Sequence, residues 1–239
     1  MTNETNHEEI SRYVYNNYTK INLGTKIRVH KPRNDLTIFV DILADLYDDK
    51  IITKDFMVVY GDLITEINYY NLLDFHFANR STFTICKSPV EKQEVLKPFQ
   101  NEDSSNRGVH VLEKHSDRLL GLIDSFDLGD KGIQLKPSIL CRHPNIYFNS
   151  NLEEKGVLVC NFAVCQLLAK ISSKFESFTE EFLSFITKNQ YNLALRNLMN
   201  QQPVQSETRL DSSHIQERVQ RQDEDFMRPF LYVSNEFSM

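Results

Sequence analysis

Helical and strand-like hydrophobic patterns alternate along most of this chain. Apolar residues recur at helical spacing in the stretches 36–47, 69–78, 162–171 and 178–186. Short apolar runs typical of strands lie at 56–59, 82–86, 109–113, 118–123, 146–148 and 157–160. This alternation predicts an α/β fold, with a parallel sheet and helices on both of its faces.

Weaker patterns add a few elements to this order. Near the start of the chain, Ile10, Val14 and Tyr18 lie at helical spacing and predict an amphipathic helix. Alternation over 26–30 predicts a short strand, and a second short strand is predicted at 133–135.

Composition divides the chain into a structured region, 1–200, and a polar tail, 201–239. Within the first region, 88–108 is polar and has no apolar face, which predicts a solvated insertion. The tail is rich in Gln, Ser, Glu and Asp, as is typical of mobile or weakly helical segments. Its last apolar run, Phe230–Val233, is able to dock on the structured region.

Charge and hydropathy exclude several classes of partner. The net charge of −6 and the scattered basic residues disfavour binding to nucleic acid or to an anionic membrane. No apolar run approaches the roughly 20 residues of a membrane helix, and the polar N-terminus is unlike a signal peptide. The four cysteines lack metal-ligand spacing and are expected to be reduced, mostly buried thiols. We therefore expect a cytosolic protein.

Asp62 is the strongest candidate for a ligand site. It follows the apolar run 56–59, and ligands of open α/β sheets bind beyond the carboxyl ends of strands. Magnesium prefers carboxylate oxygens, but it is usually held by one or two carboxylates together with phosphate oxygens. A phosphate cradle needs a glycine-rich loop, and the sequence contains no G-x-G. The competing interpretation, an Asp that ends a strand and caps a turn, is therefore favoured.

Other polar and aromatic residues favour structural roles. His143 has no Ser or Cys nucleophile in a recognisable elbow, so we expect it to close a short helix ahead of Pro144. Arg142 and Lys136 are expected to be solvated. Phenylalanines at helical spacing are predicted to lie in the core: Phe175, Phe178, Phe182 and Phe185. A cluster of acidic residues is predicted to form the solvent-exposed face of a helix: Asp45, Asp48 and Asp49. We predict no catalytic, cofactor-binding or metal-binding residue.

A series of short motifs resembles the gamma-subunit family of translation initiation factor 2B. In chain order they are Gly61-Asp-Leu-Ile-Thr65, Arg118-Leu-Leu120, Phe126-Asp-Leu128, Ser138-Ile-Leu140, His143-Pro144, and Ile146 with Phe148. Each motif is weak alone, and their shared order carries the resemblance, which extends roughly over Glu8–Asn192. Departures occur at Leu36-Thr-Ile38, where the family has Gly-Thr-Ala, and at Glu154-Lys-Gly156, where it has Asp-Ala-His.

The resemblance implies a three-layer, nucleotidyltransferase-like (Rossmann-like) mixed sheet with helices on both faces. The family's opening strand, its phosphate loop and its second strand have no counterpart in this sequence, so the sheet is expected to lack its first strands. The C-terminal left-handed β-helix of the family, built from hexapeptide repeats, has no counterpart either.

The implied function is that of a non-catalytic scaffold subunit. By the resemblance, the chain would assemble with the epsilon and other subunits of initiation factor 2B, which exchanges guanine nucleotide on initiation factor 2. It would need no cofactor, and it would not bind nucleic acid or membrane directly. The alternatives are an active sugar-phosphate nucleotidyltransferase, which the missing phosphate loop disfavours, and an interaction domain without a role in translation.

Overall fold

The computed structural model describes residues 4–19, 27–31, 38–63, 65–89, 108–123, 133–200 and 227–234. Its helices are α1 (Glu4–Val14), α2 (Phe39–Asp48), α3 (Tyr69–Ala78), α4 (Pro137–Arg142), α5 (Phe162–Ile171), α6 (Ser184–Lys188) and α7 (Leu193–Asn200). Its strands are β1 (Phe56–Val59), β2 (Phe83–Pro89), β3 (Val109–Glu113), β4 (Leu119–Ile123), β5 (Ile146–Asn149), β6 (Leu152–Cys160) and β7 (Pro229–Val233). Single turns of other helix types lie at Tyr15–Thr19, Ser172–Lys174 and Phe178–Leu183.

The first sheet is mixed, with strand order β1-β6-β2-β7. Strand β6 runs antiparallel to β1 and to β2, whereas β2 and β7 are parallel neighbours. The parallel sheet that the hydrophobic pattern indicates is therefore found only in part, because β1, β2 and β7 point the same way but β6 runs against them. The long strand β6 lies between β1 and β2 and separates the two strands that α3 connects. The coarser prediction of a mixed α/β protein is confirmed.

Helices cover both faces of this sheet. On one face, α2 and α5 pack on Phe83, Ile85 and Leu158 in the main core. On the other face, Leu72 of α3 packs in a smaller core with sheet residues that include Val157. Because successive side chains of a strand point to opposite faces, neighbouring residues such as Val157 and Leu158 enter different cores.

The second sheet is antiparallel, with strand order β4-β3-β5. The hairpin predicted over 109–123 is confirmed as β3 and β4. Gly121 lies opposite Val111, and a Cβ at Gly121 would come within 2.9 Å of the Val111 Cγ2 atom, so a glycine is needed there. The two sheets meet where Arg118 and Phe230 form an isolated antiparallel bridge.

Residues 27–30 form no strand, and neither do residues 133–135, so both strand predictions are wrong in the described residues. The run 230–233, which we placed in the tail, lies in β7 and pairs with β2. The boundary at residue 200 stays a prediction, because 201–226 lie outside the described residues, as do the insertion core 90–107 and the motif 126–128.

Candidate functional site

The turn after β1 carries Asp62. The Tyr60 amide donates to the Gly156 carbonyl at 2.9 Å, and the Leu63 amide donates to the Tyr60 carbonyl at 3.3 Å, so the chain turns at 61–62. Asp62 is exposed in this turn. Gly156 has φ of 61°, and a Cβ there would lie 3.1 Å from the Tyr60 Cβ, which explains a glycine at this departure from the family pattern.

Asp62 belongs to no cluster of candidate metal ligands among the described residues. Among the described residues, no group of three or more His, Cys, Asp or Glu side chains is placed to hold a metal ion. The four cysteines are free thiols, three of them buried, and burial raises the pKa of Cys165 to about 12. A thiol with that pKa stays protonated near neutral pH and is a poor ligand or nucleophile. The prediction that Asp62 serves the turn remains the simpler interpretation.

The most connected polar cluster of the described residues surrounds His143. Its Nδ1 atom lies 2.8 Å from Glu113 Oε1, and its Nε2 atom contacts the Tyr191 hydroxyl. A carboxylate can only accept, so Nδ1–H donates to Glu113, and in the neutral imidazole Nε2 accepts from Tyr191. Burial alone would raise the pKa of Glu113, but hydrogen bonds from His143 and Ser116 outweigh burial and lower it.

Two arginines complete this His143 cluster. The guanidinium carbons of Arg118 and Arg142 lie 5.4 Å and 4.7 Å from the centre of the Tyr191 ring. Arg118 also donates from Nε to Gln190 Oε1 at 3.1 Å and from Nη2 to the Met227 carbonyl at 2.9 Å. Burial raises the pKa of the Tyr191 hydroxyl, and the two guanidinium charges oppose that rise.

The His143 cluster joins four distant parts of the chain. Glu113 ends β3, His143 follows α4, Tyr191 lies between α6 and α7, and Met227 leads into β7. The imidazole is buried and both of its nitrogens have partners within the protein. Because both ring nitrogens are already bonded, neither is available to a substrate, which favours the predicted structural role of His143. Arg142, expected to be only solvated, is exposed but stacks on Tyr191, and Lys136 donates to Asn189 Oδ1 at 2.7 Å.

A second buried polar group, which the sequence patterns missed, lies around Lys87 on β2 and His110 on β3. Lys87 is 8% exposed, and its Nζ atom lies 3.9 Å from Glu154 Oε2. His110 is 2% exposed, and its ring bonds through Nδ1 to the Asn149 carbonyl at 3.2 Å. Burial, reinforced by the positive charge of Lys87, lowers the pKa of His110 to about 4. Lys87 lies at a register shift between Cys86 and Lys87, a feature that the sequence pattern does not show.

Replacing Arg118 by Met should loosen the junction between the two sheets. Gln190, which is 1% exposed, and the Met227 carbonyl would each lose a charged donor, and an unsatisfied buried group costs about 1–3 kcal/mol. Urea denaturation measures the loss. Arg142→Met is the matched control, because Arg142 is exposed and the loss of its stack on Tyr191 should cost under about 1 kcal/mol. Equal losses in the two variants would contradict this account of the junction.

Comparison with known proteins agrees with the resemblance in the motifs. Translation initiation factor eIF2B subunit gamma from Schizosaccharomyces pombe (strain 972 / ATCC 24843) is 28% identical over 142 residues. The match covers 59% of this chain and only 30% of the yeast protein. No family model matches the chain. The predicted resemblance to gamma subunits is thus confirmed, as a distant similarity over part of that protein. No helix among the described residues has the length and apolar character needed to cross a membrane.

Proposed function

We propose that this chain is a non-catalytic, gamma-like subunit domain of a translation initiation factor 2B assembly. The observation that carries the proposal is the 142-residue similarity to eIF2B subunit gamma. The motifs at Arg118 and His143 add support, because both residues contact Tyr191, and Ile139 of the Ser138 motif belongs to the apolar cluster on which Tyr191 packs. In this role the domain is cytosolic and binds other subunits through its surface. It supports the structure of the assembly that exchanges guanine nucleotide on initiation factor 2.

A nucleotidyltransferase-like fold is part of the same proposal. Helices on both faces of a mixed sheet, and a crossover from β1 through α3 to β2, support it. Nucleotide transfer itself has less support. The sequence lacks a glycine-rich phosphate loop, Asp62 lies in an exposed turn, and among the described residues no group of three or more His, Cys, Asp or Glu side chains is placed to hold a metal ion.

Affinity purification of the tagged full chain tests the partner class. The epsilon and other subunits of initiation factor 2B should be recovered in near-stoichiometric amounts, and nuclease treatment should leave that recovery unchanged. The net charge of −6 gives no reason for phosphate contacts, which supply most non-specific affinity for nucleic acid. Repeated recovery of RNA without exchange-factor subunits would refute the proposal.

Nucleotide binding is the second test. Titration calorimetry with nucleoside triphosphates and sugar nucleotides, each with magnesium, should give no measurable heat of binding. Asp62→Asn should behave as the unchanged chain does, because an exposed carboxylate without a phosphate cradle is a weak site for a magnesium–phosphate complex. Micromolar affinity that is lost in Asp62→Asn would support the nucleotidyltransferase alternative instead.

A further inference from the structure

Helix α3 exposes two large aromatic side chains on its outer side. Leu72 and His76 are buried, while Tyr70 is 83% exposed and Phe77 is 56% exposed. A surface helix ordinarily presents polar residues to water, and a helix that is apolar all round is ordinarily covered on all sides. The exposure of Tyr70 and Phe77 is therefore unusual for a surface helix.

The fold makes limited use of these outer aromatic residues, since the Phe77 ring meets the His76 ring edge-on at 5.4 Å and is still 56% exposed. On the inner side, Leu72 packs in the small core of the first sheet, and the His76 Nδ1 atom lies 2.9 Å from Thr84 Oγ1. Phe75 forms edge contacts with Phe230 and Tyr232 of β7, at ring distances of 5.9 Å and 5.4 Å. These contacts hold α3 on the sheet without help from Tyr70.

The outer residues form one stripe with a single sign of charge. Tyr70, Asp74 and Phe77 follow the i, i+4, i+7 spacing and share one side of the helix. We call these three residues the α3 outer face. Exposed carboxylates also precede the helix at Asp62 and Glu66, and the first basic residue after the helix is the exposed Arg80.

We propose that the α3 outer face is a docking surface for a partner subunit of the exchange-factor assembly, an inference that rests on the proposed function. The partner would present an apolar cleft for Tyr70 and Phe77, with Lys or Arg opposite Asp74. Large aromatic side chains in the middle of an interface usually supply most of the binding energy. Opposite charges at its border favour the correct partner and speed association.

A second copy of this chain fits the α3 outer face poorly. Pairing two α3 helices about a two-fold axis would place Tyr70 against Phe77 of the other copy. Asp74 lies between Tyr70 and Phe77 on the stripe, so the Asp74 side chains of the two copies would face each other. Contact between like charges is unfavourable. The charge of the face thus selects a basic partner over self-association.

Binding to purified epsilon subunit tests the inference. The Tyr70→Ser/Phe77→Ser double variant should bind epsilon about 30-fold or more weakly than the unchanged chain, since truncating central aromatic anchors has effects of this size. Asp74→Lys should also weaken binding, and it should reduce the dependence of affinity on salt. Leu193→Ser is the matched control, because Leu193 is 58% exposed on another helix. All variants should keep the melting temperature of the unchanged chain.

The outcomes separate this inference from the proposed function. If the unchanged chain binds epsilon and the double variant binds equally well, the α3 assignment is wrong and the proposed function stands. If the unchanged chain fails to bind, the proposed function is refuted and the docking assignment with it. A dimer in sedimentation equilibrium that the double variant abolishes would assign the face to a second copy and overturn the basic-partner inference.

Discussion

Replacing Phe182 by Ala is expected to remove about 3–5 kcal/mol from the free energy of unfolding, as is typical for a fully buried phenylalanine. Phe182 is 0% exposed, stacks on Phe178 at 5.5 Å, and meets Phe175 edge-on at 5.4 Å. Its removal leaves a cavity where α2, α5 and the first sheet share one core. Small domains have only about 5–15 kcal/mol of stability in total, so this loss is a large fraction of it.

Thermal and urea denaturation of the purified variant measure this loss. Phe77→Ala is the matched control, because its ring is 56% exposed and its truncation should change stability by less than about 0.5 kcal/mol. A Phe182→Ala variant as stable as the Phe77→Ala control would show that the three rings do not belong to the main core.

Acidification is expected to cost the domain roughly 3 kcal/mol through His110 alone, because its pKa is lowered from 6.5 to about 4. Burial and the neighbouring charge of Lys87 favour the neutral ring, whereas the unfolded chain takes up a proton near pH 6.5. The stabilisation is therefore complete above pH 6.5, and it is lost as the pH falls from 6.5 to about 4.

Urea denaturation of the unchanged chain and of His110→Gln, at several pH values between 7 and 4, isolates this effect. Glutamine keeps an amide donor for the Asn149 carbonyl but does not titrate. Carboxyl groups such as Glu113 titrate in both proteins, so their contribution cancels in the difference. The unchanged chain should lose stability more steeply below pH 6.5, and parallel profiles would contradict the lowered pKa of His110.

Local signals were sufficient to predict several helices. The boundaries of α3 and α5 match the hydrophobic periodicity, and a side-chain cap begins each of them. Asn68 accepts from the amides of Tyr70 and Asn71, and Asn161 accepts from the amide of Ala163. Because caps and periodicity act within a few residues, the sequence alone carries this information.

Strand order could not be predicted in the same way. The insertion of β6 between β1 and β2, and the pairing of β7 with β2, depend on contacts between distant parts of the chain. The alternating residues 27–30 resemble a strand but pair with none among the described residues. Strand propensity mainly reflects packing against neighbours, so alternation without a neighbour does not make a strand.

The same limit applies to the polar clusters. His143 was noticed because it precedes Pro144, but its partners Glu113 and Tyr191 lie 30 and 48 residues away along the chain. Nothing in the local sequence around Lys87 indicates that it lies near His110. The motifs found by resemblance identified Arg118 and His143, and only the fold shows that both lie against Tyr191.

The most direct test of the central claim is competition with the gamma subunit itself. Labelled full-length gamma subunit is bound to purified epsilon subunit, and the unlabelled chain is added in increasing amounts. If the chain is gamma-like, it should displace the labelled subunit from epsilon, with half-displacement at a concentration comparable to its own Kd. A ternary complex that holds both proteins, or no displacement at concentrations far above that Kd, would contradict the claim that this chain takes the place of gamma.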